Sequence, residues 1–233
     1  MRSLFKTIVF IVVIVSIGTI YSCSDDEQAY DPYYDWQARN EAWFLSVTDS
    51  ARTAIREAKA QWGDAWEAHC KWRQYKTLCQ SQDYDTGRHT DSICVRIEKS
   101  GDGTYSPKWS DTVRISFRGW MMPTTYRIYD KDNMLVEKEL QEVFSQSYYG
   151  AFDEDTAAPS MSALPPFVQG FSTALQYMVK GDDWYVYVPH QLAYGGTANG
   201  VIPAYSTLVW RIHLNAVYYT NTGVPEWKAP VCR

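Results

Sequence analysis

Residues 183–217, DWYVYVPHQLAYGGTANGVIPAYSTLVWRIHLNAV, decide how the chain is read. Trp184 to Val188 is aromatic and β-branched, which suits a well-covered strand. Pro189 stops it, and a Gly-rich loop, Gly195-Gly196-Thr197-Ala198-Asn199-Gly200, follows the segment Leu192-Ala193-Tyr194. The chain re-enters at Val201-Ile202-Pro203 and runs a second strand from Thr207 to Val217. There Leu208, Trp210, Ile212 and Leu214 alternate with Val209, Arg211, His213 and Asn215. That period of two predicts a sheet with one face buried. Two strands joined by a long loop carrying Tyr194 and Ile202 form a binding edge as well as a connection.

Further landmarks lie upstream. Asp111-Thr112-Val113-Arg114-Ile115-Ser116-Phe117-Arg118-Gly119 reads as a strand, and Ser100-Gly101-Asp102-Gly103 as a turn. Val143-Phe144-Ser145-Gln146-Ser147-Tyr148 forms another short motif. Pro166-Phe167-Val168-Gln169-Gly170-Phe171 leads into a short helix ending near Gly181-Asp182. Together with AYG, GVIP and STLVW, these motifs resemble, in order, those of the FKBP-type peptidyl-prolyl isomerases. The resemblance covers about residues 91–218.

The resemblance implies an α+β fold, an antiparallel β-sheet wrapped around one short helix. It implies catalysis of proline isomerisation without cofactor or metal, on proline-containing polypeptide clients. Phe117, Phe144, Phe171 and Trp210 would wall the proline ring, and Phe167, Val168 and Val201 would complete the apolar surface. The Tyr194 hydroxyl and the Ile202 backbone N–H would donate to substrate carbonyls. Three positions depart from the family pattern. Phe117 stands where tyrosine is usual, Phe171 where tryptophan is usual, and Ser145 where an aspartate helps to organise the pocket. The last change implies weak isomerase activity, or a binding module that serves as a chaperone or an accessory lipoprotein of an outer-membrane complex.

The N-terminus reads as a targeting segment over residues 1–22: Arg2 and Lys6, an apolar run from Ile8 to Ile20, then Tyr21-Ser22 before Cys23. The run is too short to favour a stable span of about 20 residues. Cys23 after a small residue resembles a bacterial lipobox, so it is expected to carry a lipid and anchor the chain to a membrane. Ser24-Asp25-Asp26-Glu27 is either a solvated spacer or resembles signals that send lipoproteins to the outer face of the outer membrane. Residues 23–34 read as a tether, and 219–233, with Pro225 and Pro230, as a tail.

From residue 35 to about 80 the chain is rich in Ala, Glu, Gln, Arg and Lys, and Trp36, Phe44, Ala51, Ile55 and Ala58 recur at helical spacing. This predicts a helical stalk divided at Gly63, its second helix carrying Trp66, His69 and Trp72. It either packs on its own domain or serves as a dimerisation or client-holding arm. Between Gly119 and Val143 a long hairpin is expected, and Gly150 to Leu164 reads as an exposed loop.

A net charge of −5 argues against nucleic acid as a partner. With 45% hydrophobic residues, ten Trp and eighteen Tyr, the 233-residue chain can fill one substantial core. Four cysteines follow Cys23. Of three connectivities, Cys70–Cys79 is favoured by proximity and Cys94–Cys232 by elimination. His69, His89, His190 and His213 show no metal-ligand spacing and read as surface or interface residues.

Overall fold

A computed structural model describes residues 30–78, 88–164 and 167–218. Cys23, Cys79, Cys232 and the C-terminal tail lie outside the described residues. The chain divides into two compact units, 1–32 and 33–233; of the first only Tyr30, Asp31 and Pro32 are described, and the account below concerns the second.

Helix α1 runs Trp36–Trp62. Its buried residues Trp36, Asn40, Phe44, Thr48, Ala51 and Ala58 recur every three to four positions, one stripe of a 3.6-residue period. Gly63, at φ 54°, ends it by adopting a left-handed conformation that costs glycine little. The second helix is a single turn, α2, Trp66–His69. Trp72 therefore lies not in a helix, as the composition suggested, but at the start of strand β1, Trp72–Lys76. Arg73 explains the switch: its guanidinium donates to the carbonyls of Glu67, Cys70 and Trp72 and fixes the turn from helix into strand.

The remaining elements are β2 (Ser92–Lys99), β3 (Thr112–Met121), β4 (Thr124–Tyr129), β5 (Leu135–Leu140), β6 (Val143–Gln146), β7 (Ser160–Ala163), α3 (Gln169–Tyr177), β8 (Asp183–Val188) and β9 (Leu208–Tyr218). Seven strands form one antiparallel sheet in the order β1-β2-β8-β9-β3-β6, with β7 pairing the other end of the same β3 edge. The sheet thus starts earlier than the expected boundary at 91, and β7 occupies part of the stretch read as a loop. β4 and β5 pair alone, as the long hairpin expected there.

The main core forms between the sheet and α3, where Ile93, Val95, Ile115, Phe171, Leu175, Leu208, Ile212 and Leu214 meet. The architecture is the expected one: an antiparallel sheet on a short helix, preceded by a long N-terminal helix. One detail of β9 differs from its alternating sequence. Val209 (3% exposed) and His213 (1%) are buried as deeply as the core face, because the second sheet face is covered too. The α1 residues Phe44 and Ala51 pack on Cys94 with Trp72 and Tyr187, and Phe152 lies 5.1 Å from the His213 ring. His190 is likewise buried, so neither it nor His213 is the surface residue expected.

Cys70 and Cys94 are free thiols, and the partners expected for them fall outside the described residues. Cys94 is fully buried, with its Sγ 3.6 Å from Thr48 Oγ1, and burial pushes its thiol pKa up despite that hydrogen bond. A raised pKa and no exposure both suppress thiolate chemistry. Cys94 is therefore expected to resist alkylation in the folded protein and to react on unfolding; rapid labelling under native conditions would refute this. Among the described residues no group of three His, Cys, Asp or Glu could hold a metal, and no helix is long and apolar enough to cross a membrane.

Candidate functional site

Trp210 is the hub of the site. It sits on the core-facing side of β9, paired directly with Gly119 of β3. A side chain at 119 would collide with the indole: a Cβ there would lie 2.7 Å from Trp210 Cζ3 and 2.8 Å from Phe144 Cζ. Glycine lets both rings lie against the strand.

Phe144 arrives there through an irregularity. Ser145 pairs with Gly119 while Val143 pairs with Trp120, so Phe144 is the extra residue of a bulge, the device that re-aims side chains at sheet edges. Its ring meets Trp210 edge-on at 4.7 Å and 90°. Phe117, two residues before Gly119 on the same face of β3, lies 5.8 Å from Trp210 and 6.4 Å from Phe171. From the start of α3, Phe171 reaches within 4.8 Å of Trp210, and Phe167 packs on Phe171 at 4.6 Å. Helix α3 comes this close to the sheet because residue 170 is glycine: a Cβ there would stand 2.3 Å from Val188 Cγ1.

The five rings form a cup. Phe171 and Trp210 are buried at its base, and Phe117, Phe144 and Phe167 are half-buried around it. The aromatic side chains singled out in the sequence are therefore assembled in one place.

The loop between β8 and β9 treats the two expected donors differently. Tyr194 packs against the core, and its hydroxyl has no hydrogen-bond partner among the described residues. The Ile202 N–H, in contrast, donates to Asn199 O at 3.0 Å, while Asn199 N–H donates to Ile202 O at 2.9 Å. This tight reverse turn buries the Ile202 side chain and leaves Val201 60% exposed at its tip. Ile202 thus contributes a buried side chain, its N–H being taken by Asn199, and Val201 is an exposed residue of the turn.

A donor that sequence reasoning overlooked sits nearby. Val168 caps α3 in an extended conformation, φ −60° and ψ 152°, and its N–H has no backbone partner among the described residues. Val168 was noted only for its apolar side chain. An unpaired N–H at the start of a helix carries the positive end of the helix dipole. Ser145, on the cup side of the bulge, makes no side-chain hydrogen bond among the described residues.

Helix α1 holds this loop in place. Trp36 Nε1–H donates to Ser206 Oγ at 2.8 Å, and Ser206 Oγ–H donates to Pro203 O at 2.7 Å. Asn40, fully buried, accepts the Thr207 N–H at 2.7 Å and donates to Trp36 O at 2.8 Å. Glu41 Oε1 lies 3.4 Å from His190 Nε2 at the other end of the loop. The Gln37 amide above all, with help from His190, holds the Glu41 carboxyl below its ordinary pKa against the opposing effect of desolvation. The segment predicted as stalk or arm packs on its own domain. A carboxamide, Asn40, inside the buried helical stripe was the available sequence signal.

Residues 103–215 match the family model for FKBP-type peptidyl-prolyl cis-trans isomerase. The chain is 29% identical over 123 residues to the outer membrane protein MIP of Legionella longbeachae, covering 52% of this chain and 42% of that protein. It is 26% identical over 174 residues to the FKBP-type peptidyl-prolyl cis-trans isomerase FkpA of Aeromonas hydrophila, covering 74% and 55% respectively. The chain therefore spans about half the length of these curated relatives. A solved peptidyl-prolyl cis-trans isomerase from Pseudomonas syringae pv. tomato aligns over 75% of this chain and 96% of that one, at 20% identity and a TM-score of 0.41. Over residues 103–215, just under half of its length, the chain is thus similar to the FKBP-type peptidyl-prolyl cis-trans isomerase family.

Proposed function

We propose that the aromatic cup catalyses cis/trans isomerisation of X–Pro bonds in polypeptides at the cell envelope. The observation that carries this reading is a half-open apolar cup, with the Tyr194 hydroxyl and the Val168 N–H as two donors that have no partner among the described residues. The barrier to rotation is amide resonance, about 18–20 kcal/mol for a peptide bond. At the twisted transition state that resonance is broken and the amide is less dipolar. A water-poor aromatic cup therefore favours the twisted amide over the planar one, which is differential binding of the transition state. Donors fixed at its edge hold the substrate carbonyls without reorganising.

The donor roles have a direct test. Val168 already has a φ that proline adopts, and proline is tolerated at a helix start, so Val168→Pro removes the N–H without breaking α3. Val168→Pro and Tyr194→Phe are each expected to lower kcat/KM about tenfold in a protease-free proline isomerisation assay, the worth of one good hydrogen bond. Unchanged rates in both would remove the donor assignment.

A second reading is favoured by Ser145 and Phe117, which lack the carboxylate and the hydroxyl usual in relatives: a cup that binds clients and isomerises them weakly. Ser145→Asp is expected to raise activity about fivefold, on the order of 1 kcal/mol, because a charge-assisted bond is about twice as strong as a neutral one. Adding Phe117→Tyr should raise it further by giving that carboxylate a donor. If wild type and both variants are inactive while proline peptides still bind, the binding reading stands.

One relative is named an outer membrane protein, which supports an envelope location for this chain. We place residues 1–22 as a signal peptide, Cys23 as the lipidated residue, 23–34 as the tether and the cell surface as the destination. Cys23→Ser is expected to leave an unprocessed, unlipidated precursor; normal lipid labelling of that variant would exclude Cys23 as the acceptor.

A further inference from the structure

A groove of about 490 Å³ lies between the C-terminal half of α1 and the α2–β1 segment, far along the helix from the residues that hold the β8–β9 loop. Arg52, Arg56, Lys59 and Arg73 line it, and Glu67 is its only carboxylate among the described residues. This local excess of three positive charges stands in a chain whose net charge is −5.

The arrangement is unfavourable in the empty protein. Arg52, Arg56 and Lys59 follow one another at helical spacings of four and three, where like charges destabilise a helix. Arg52 has a carboxylate partner only in Asp49, at 4.0 Å, and Arg56 has no ion pair among the described residues. Arg73 is buried, and its one ion-pair partner among the described residues, Glu67, is 3.9 Å away and largely exposed. The three carbonyls that receive the Arg73 guanidinium satisfy its hydrogen bonds without neutralising its charge.

Two of the four cations, Lys59 and Arg73, are also held in place. The Trp66 ring has Lys59 Nζ 4.8 Å from its centroid and the Arg73 guanidinium 4.6 Å from it. Charges positioned before a ligand arrives lose less side-chain entropy when it binds.

We infer that this groove binds a compact polyanion bearing phosphoryl groups, either free in solution or as a lipid headgroup. Charge density selects phosphoryl groups over an acidic peptide. The α1 cations, Arg52 to Lys59, are seven helical steps apart, about 10 Å of helix. An extended peptide presents one side chain per face about every 6.7 Å, hence at most two carboxylates over that length. A phosphoryl group brings about 1.5 to 2 charges to a single point, and arginine's fork suits its oxygens.

The test is calorimetric titration of the purified protein with sodium tripolyphosphate, alongside sedimentation with phosphatidylglycerol vesicles and with phosphatidylcholine vesicles. Saturable tripolyphosphate binding is expected, lowered at least tenfold by Arg56→Glu with Lys59→Glu and unchanged by Arg114→Glu, an exposed arginine outside the groove. Co-sedimentation with phosphatidylglycerol alone would identify a lipid source, and tripolyphosphate binding without it a soluble one. The inference fails if tripolyphosphate does not saturate, if the double reversal leaves affinity intact with an unchanged melting temperature, or if poly-glutamate binds as tightly. None of these readouts depends on isomerase activity.

Discussion

Replacing Asn40 with alanine is expected to lower kcat/KM for X–Pro isomerisation tenfold or more, although residue 40 lies on the N-terminal helix and outside the aromatic cup. The Asn40 side chain is fully buried and accepts the Thr207 N–H just before β9. Alanine would leave that donor without a partner, at a cost of about 1–3 kcal/mol, and would open a small cavity as well. A total loss of about 2–4 kcal/mol in urea unfolding is expected. The activity loss should exceed what unfolding explains, because Ser206 and Pro203 hang on the same relay and set where the Tyr194 loop lies. Asn40→Asp is the informative companion. It can still accept from Thr207 but no longer donates to Trp36 O, so it should recover part of the rate. Full activity in folded Asn40→Ala would show that α1 only covers the sheet.

The other large effect is expected at Gly119. The methyl group of Gly119→Ala would drive into Trp210 and Phe144 at 2.7–2.8 Å, well inside contact distance, and both are ring atoms of buried or half-buried side chains. Overpacking of this kind typically costs about 1–3 kcal/mol, a tolerable loss of stability. The cup, however, would lose the geometry of two of its walls together. Displacements near 1 Å at a site can cost on the order of 100-fold in rate, and a fall of that size in kcat/KM is expected. Measurement of kcat/KM alongside the melting temperature separates the two effects. Wild-type activity in Gly119→Ala would mean that the indole can relax without consequence.

Much of this arrangement was legible from the chain. The alternation of Leu208, Trp210, Ile212 and Leu214 fixed both the strand and its core face, since period two is a local signal. The rings of the cup were identifiable one by one because each belongs to a short motif. What escaped were properties that depend on partners distant in sequence. Strand β1 is polar and short, and only its pairing with β2 and the hydrogen bonds of Arg73 make it a strand. Burial of His213 and Val209 required the covering elements on the second sheet face to be known. The availability of a backbone donor is likewise invisible in sequence. Ile202 loses its N–H to Asn199 through turn geometry alone, whereas Val168 keeps its own by standing at a helix start.

The fastening of α1 to the loop before β9 also bears on how the chain acquires its structure. Trp36 meets Ser206 across 170 residues, and Asn40 meets Thr207 across 167. Synthesis proceeds from the N-terminus, so the first helix emerges long before the partners that fix it exist. Its own turns form in about a microsecond, but Trp36 and Asn40 must wait for almost the whole remaining chain to be made. Contacts this far apart in sequence place folding in the slow range set by loop closure. Until the segment before β9 arrives, the N-terminal end of the helix, with Trp36 and Asn40, lacks the partners that fix it. A nascent chain stalled before residue 206 should therefore be the species most exposed to aggregation and to chaperone capture.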